Sequence, residues 1–205
     1  TSALRWADAW ELLVATVLAA QCTDARVNTV TPVLFSRWPD VRAMALATPA
    51  DVEEVVRSTG FYRNKARHLV AAAQRIVTVY GGEVPRRMED LLTLPGVARK
   101  TANIVLSNAF GVQVGIAVDT HVRRLTFRLG LTESRDPVRI ERDLMPLFPR
   151  EAWGEINHLL VLFGRDTCRA RTPLCAACDL AGVCPRIGVA TPLPLPKDPD
   201  LGARP

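Results

Sequence analysis

Apolar residues recur at helical spacing along almost the whole chain, and polar, Gly and Pro positions punctuate them at helix length. Residues 8–20 and 26–38 read as two helices. Pro49, Asp51 and Glu53 open a third, which Gly60 closes. Lys65 to Tyr80 is Ala-rich and ends at Gly81-Gly82. A short helix over 88–94 precedes a Pro95-Gly96 turn, and another helix runs over 99–110. Asp119 is placed to cap a helix that ends before Gly130. Two more helices fit 136–147 and 151–163. Val112 to Val118 is apolar and could form a short strand, but it has no partner, and no repeat of fixed period is present. The pattern predicts an all-α protein. From Thr191 on, five prolines predict an extended, disordered tail.

Charge narrows the partners. The 205 residues carry a formal net charge of +5, which favours a polyanion, nucleic acid before an anionic membrane surface. The longest apolar run, Leu12 to Ala20, is too short to span a bilayer and lacks the flank of a signal peptide. The expected setting is cytosolic, with no membrane partner. A start at Thr1 rather than Met is what a shortened N-terminus would give.

Lysine is scarce. It stands only at Lys65, Lys100 and Lys197, and the other 23 of the 26 basic residues are arginine. Arginine keeps its proton and forms no Schiff base, so amine chemistry must use one of three positions. Lys100 lies in the first turn of the 99–110 helix, next to Arg99. The helix dipole and the Arg99 cation both work against a charged ammonium there, and nucleophilic attack needs a neutral amine. Partial burial would act in the same direction. A plain phosphate contact is the competing role. Before it, Leu94-Pro-Gly-Val-Ala98 joins two helices by a turn whose successive amides can hold an anion without reading sequence. Asp119 suits both an N-cap and a carboxylate that accepts a proton or stabilises a cationic sugar.

Cys168, Cys175, Cys178 and Cys184 are spaced C-x6-C-x2-C-x5-C. Four thiolates this close point to a metal centre rather than disulfides in a cytosolic chain. The single short Cys pair places an iron–sulfur cluster ahead of zinc without deciding it. Arg165, Arg169, Arg171 and Arg186 lie near these cysteines in sequence, where they could balance a cluster or touch phosphates. Cys22 reads as a small buried apolar residue.

Ala20-Gln-Cys-Thr-Asp24, Gly60-Phe-Tyr-Arg-Asn-Lys65, Leu94 to Asn103, Val118-Asp-Thr-His121 and the four cysteines together resemble the endonuclease III family of helix-hairpin-helix glycosylases, over roughly Trp6 to Arg186. The resemblance implies an all-α, two-lobed fold. One lobe is a six-helix bundle over 22–131 with the hairpin motif at about 88–110. The other combines 1–21 with 132–188 and carries a [4Fe-4S] cluster on Cys168, Cys175, Cys178 and Cys184, and residues 189–205 form the tail. It implies a bifunctional glycosylase and abasic-site lyase. The partner is double-stranded DNA with a damaged base or abasic site, bound by a monomer in the groove between the lobes, where Lys100 and Asp119 would face each other. A bacterial member would be nucleoid-associated.

In that chemistry the damaged nucleotide is extruded, Lys100 attacks C1′, Asp119 stabilises the cationic sugar, and a Schiff base permits β-elimination. Oxidised pyrimidines are the implied substrates. Gln21 matches the side chain that fills the vacated gap, and Phe61 or Tyr62 could wedge into the opposite strand. Core packing is the competing reading for both aromatics. Gly96, Ala98, Arg99, Thr120 and His121 are further expected DNA contacts. Ala98 stands where the family hairpin often has a second glycine, which would strain the turn if that position needs positive φ. Two alternatives remain. A mismatch adenine glycosylase would carry a catalytic glutamate five residues before the glutamine, where this chain has Thr16. A non-enzymatic iron–sulfur DNA-binding module would need neither Lys100 nor Asp119.

Overall fold

The computed structural model of the chain describes residues 4–189, and the expected tail lies outside them except for residue 189. The fold is helical: α1 (Ala9–Leu18), α2 (Asp24–Arg37), α3 (Val41–Ala45), α4 (Pro49–Val56), α5 (Tyr62–Val79), α6 (Met88–Leu91), α7 (Arg99–Phe110), α8 (Thr120–Arg128), α9 (Pro137–Leu144) and α10 (Trp153–Asp166), with four short 3-10 turns between or beside them. No strand forms among the described residues. Val112 to Val118 forms neither helix nor strand and bends at Val114. Its apolar character serves burial instead, with Ile116, Ala117 and Val118 all taken from solvent.

Polar caps set the starts. Asp8, Thr23, Asp40, Thr48 and Asp119 each turn a side-chain oxygen onto a first-turn amide of α1, α2, α3, α4 and α8, satisfying donors that the helix leaves orphaned. At α1 the cap is reciprocal. Asp8 Oδ1 accepts from the Glu11 amide at 2.8 Å while Glu11 Oε2 accepts from the Ala7 amide at 2.7 Å.

The chain groups into two compact units. The first holds the residues up to Ala117 together with Met145–His158. Its centre is α1, where every residue from Leu12 to Leu18 is buried, and the helix packs against α2, α5 and α7. A helix buried all round is a core element rather than an amphipathic cover. Leu12 and Leu13 of α1 and Leu34, Leu69, Ile76 and Leu106 of the other helices are sealed from solvent in this core, and cutting one such leucine back to Ala costs about 2–5 kcal/mol. The second unit holds Val118–Leu144 and the residues from Leu159 on, and buries Val122, Leu125, Ile140 and Leu144. No helix among the described residues is long and apolar enough to cross a membrane.

Candidate active site and cysteine cavity

In the first unit, the hairpin between α6 and α7 is a tight turn. The Val97 amide donates to the Leu94 carbonyl at 3.1 Å, and both side chains are buried beneath it. Gly96 sits at φ +79°, and a Cβ there would lie 2.8 Å from the His68 Cβ. Only glycine meets both demands. Ala98 sits at φ −91° in extended backbone, so alanine in place of a second glycine carries no strain. It occupies the N-cap of α7 but offers no oxygen, so the first turn of this helix has no side-chain cap. Lys100 is exposed in that turn, not partly buried, because Ala102, Asn103, Val105 and Leu106 take the inner face. Arg99 beside it is half-buried.

The other lysines are accounted for differently. Lys197 lies outside the described residues. Lys65 is buried, with 4% of its surface exposed. Its Nζ donates to the Leu18 carbonyl at 2.8 Å and to the Thr59 carbonyl at 2.7 Å. Burial lowers its basicity, and Cys22, half-buried against the same core, opposes that electrostatically. An amine so enclosed cannot reach a substrate carbon.

Two exposed residues of this unit hold left-handed backbone. Gln21 is at φ +55° and Phe61 at φ +48°, and among the described residues the one further non-glycine at positive φ is Arg186. A bulky residue there stores about 1 kcal/mol or more, which a fold retains where the conformation is used. Phe61 is 64% exposed, whereas Tyr62 is half-buried against the core with the Arg57 and Arg63 guanidinium groups each 5.6 Å from its ring centre. The structure thus separates the two aromatics: Phe61 faces solvent and Tyr62 packs. Thr16 is buried in α1 and its Oγ1 donates to the Leu12 carbonyl, so no carboxylate stands at that position.

In the second unit, Asp119 caps α8. One oxygen, Oδ1, accepts from the His121 and Val122 amides, each at 2.8 Å. Among the described residues Oδ2 has no hydrogen-bond donor, which leaves one carboxylate oxygen for other work. Thr120 is exposed, and the half-buried His121 has Nδ1 3.2 Å from the Arg124 guanidinium.

The same unit gathers Cys168, Cys175, Cys178 and Cys184 around one cavity, lined also by Leu129, Phe163 and Leu174. All four are half-buried free thiols. No three His, Cys, Asp or Glu side chains among the described residues stand close enough to hold a single ion. The arginines that touch the cysteines come mainly from α8, far away in sequence. Buried Arg128 donates to Cys168 Sγ at 3.3 Å and to the Arg169 and Ala170 carbonyls, and Arg124 donates to the Cys168 carbonyl. Cys184 Sγ in turn points at the Arg128 carbonyl, 3.5 Å away. Of the arginines adjacent in sequence, Arg186 lines the cavity, while Arg169 turns back to the Asp166 carbonyl and Arg171 is exposed. Neither the Arg128 contact with Cys168, 40 residues away, nor the Lys65 contact with Leu18, 47 residues away, is legible in local sequence pattern.

Comparison with known proteins gives a consistent result. The model of the HhH-GPD superfamily of base excision DNA repair proteins matches residues 14–150. Endonuclease III of Synechocystis sp. is 57% identical over 175 residues, which is 85% of this chain and 80% of that protein. Endonuclease III of Bacillus subtilis is 46% identical over 176 residues, again 85% and 80%. A solved structure described as a trapped endonuclease III–DNA covalent intermediate superposes with a TM-score of 0.86 at 43% identity, covering 91% of this chain and 87% of that one.

Proposed function

Because the chain belongs to the HhH-GPD superfamily of base excision DNA repair proteins, we propose that it is a bifunctional DNA glycosylase and abasic-site lyase in which Lys100 is the nucleophile. Its partner is double-stranded DNA. The observation that carries the assignment of Lys100 is the elimination of amines: of the two described lysines, Lys65 is enclosed by carbonyls and Lys100 is exposed at an uncapped helix start.

The hairpin amides and the first turn of α7 receive a backbone phosphate, which fixes register without reading sequence. Gln21 and Phe61 enter the stack as the damaged nucleotide leaves it. The uncharged Lys100 Nζ attacks C1′, the C1′–N bond breaks, and the base departs with a proton. Asp119 stabilises the positive charge on the sugar, with Oδ1 anchored by two amides and Oδ2 available. Ring opening gives an imine between Nζ and C1′. Loss of a C2′ proton then expels the 3′ phosphate, and water later frees the lysine. Oxidised pyrimidines are the proposed substrates. Thr120, His121 and Arg99 are proposed phosphate or sugar contacts.

The four cysteines fit a [4Fe-4S] cluster as its ligands. They are free, they line one cavity, and a buried guanidinium already donates to one of them. When bound, the cluster would supply a rigid crosslink of the 168–184 segment and an anionic, redox-capable centre. The lobes of this reading, 22–131 and 1–21 with 132–188, cut the chain at different points from the compact units. A cytoplasmic, nucleoid-associated location accords with bacterial relatives.

A panel of duplexes carrying single lesions, scored separately for base release and for nicking, tests the proposal. The protein should release oxidised pyrimidines and nick the strand, and Lys100→Ala should bind the same duplexes without nicking. Binding by the unaltered protein with no release from any lesion would leave a DNA-binding module instead.

A further inference from the structure

The buried amine of Lys65 has no role in the chemistry above, yet it joins the two strained turns of the first unit. Leu18 is the last residue of α1, and its carbonyl is one the helix leaves without a partner. Three residues later the chain reaches Gln21. Thr59 ends the 3-10 turn Arg57–Thr59, and two residues later the chain reaches Phe61. One ammonium bonds both carbonyls, at 2.8 and 2.7 Å. The Lys65 amide also donates to the Phe61 carbonyl at 3.1 Å, which fixes the start of α5 on the residue that carries the exposed ring.

Holding two inward-facing carbonyls demands several donors and no acceptor on a long stem. Lysine supplies that combination, glutamine brings an acceptor oxygen against one carbonyl, and methionine of similar length brings no donor. A buried ammonium is a costly way to fill space, since its desolvation must be offset by those bonds. The position is therefore shaped by the carbonyls rather than by packing.

We propose that Lys65 is a positioning residue for nucleotide extrusion, whose ammonium clamps the Leu18 and Thr59 carbonyls so that Gln21 and Phe61 enter the duplex at a fixed separation. This rests on the reading of Gln21 and Phe61 as the residues that enter the stack. Neither side chain alone need be rigid. What Lys65 fixes is the spacing between two turns that are far apart in sequence and must act at neighbouring base pairs at one moment.

The test is a mutant cycle read by base release from a lesion duplex and by the fluorescence of 2-aminopurine beside the lesion, which reports unstacking. Gln21→Ala with Phe61→Ala should slow release about tenfold or more and quench the unstacking signal, as expected for lost insertion. Lys65→Met should do the same. The triple variant should be no more than about twofold worse than the Gln21/Phe61 double, because Lys65 acts only through those side chains. Multiplied losses in the triple would overturn the clamp and leave insertion standing. Full activity and full unstacking in the Gln21/Phe61 double would instead overturn the insertion reading beneath it. If Lys65→Met does not fold, the cycle is run with Lys65→Gln, whose amide keeps N–H donors but loses the charge and brings an acceptor oxygen, and which should fall between. Failure of both to fold would make the amine a general structural residue and refute the proposal.

Discussion

Replacing Asp119 separates its two jobs. As a cap, Oδ1 holds two amides at 2.8 Å at the start of the nine-residue α8. Asparagine keeps an amide oxygen in the same place and is as good a cap, so Asp119→Asn should lose less than about 1 kcal/mol, mainly the favourable charge at the helix N-terminus. Alanine removes the acceptor. A lost cap costs about 1–2 kcal/mol and the lost charge up to about 1 more, so about 2 kcal/mol is expected for Asp119→Ala. In a chain of this length each kcal/mol moves Tm by roughly 2–4 °C, giving a fall of about 4–8 °C for alanine and at most a few degrees for asparagine. Catalysis should order the variants differently. Both lose the negative charge that stabilises the developing cation, so base release should slow by about a hundred- to a thousandfold in each. Thermal melts at equal metal content, run beside single-turnover base release, make the comparison. Asp119→Asn with release within threefold of the unaltered protein would refute the charge-stabilisation role. An asparagine melt as low as the alanine melt would refute the division between cap and charge.

Phe61→Gly should raise stability by about 0.5–1 kcal/mol, because glycine relieves the left-handed backbone at φ +48° and little packing is lost from an exposed ring, while base extrusion weakens. Tm and release rate moving in the same direction would contradict this. Lys65 binds its proton less tightly folded than unfolded, so between its lowered pKa and the ordinary 10.5 the unfolded chain holds more protons and stability should rise with pH. Lys65→Met should remove that slope in alkaline melts. Arg128→Met deletes the donor to Cys168 Sγ and strands two carbonyls, so iron should be released faster on exposure to chelator, followed by visible absorbance and iron content. A colourless, zinc-loaded preparation of the unaltered protein would overturn the cluster itself.

Much of the helical framework was legible because local chemistry marks it. The span of α7 and the Asp119 cap of α8 were set by Pro-Gly, Gly111 and Gly130 punctuation around apolar periodicity. The short α3 was missed, since five residues show no period, although Asp40 caps it. The helix that the pattern begins at Lys65 starts three residues earlier, at Tyr62, because Phe61, not a conventional cap, occupies its N-cap in a left-handed conformation. The structural roles of Lys65 and Arg128 are not legible in the sequence because their partners are backbone carbonyls and one sulfur, all but Thr59 at least 40 residues away, and a backbone acceptor leaves no trace in residue type. Phe61 and Tyr62 could not be told apart by pattern, since one position along a helix start separates the exposed ring from the packed one.

Borohydride reduction during turnover addresses the central claim most directly, because it freezes an imine as a stable amine. Incubation with a duplex carrying an oxidised pyrimidine should yield one protein–DNA adduct. Peptide mapping should place the reduced sugar on Lys100, and Lys100→Ala should form none while still binding the duplex. An adduct mapped to Lys65, Lys197 or the terminal amine, or base release and nicking that persist in Lys100→Ala, would contradict the account.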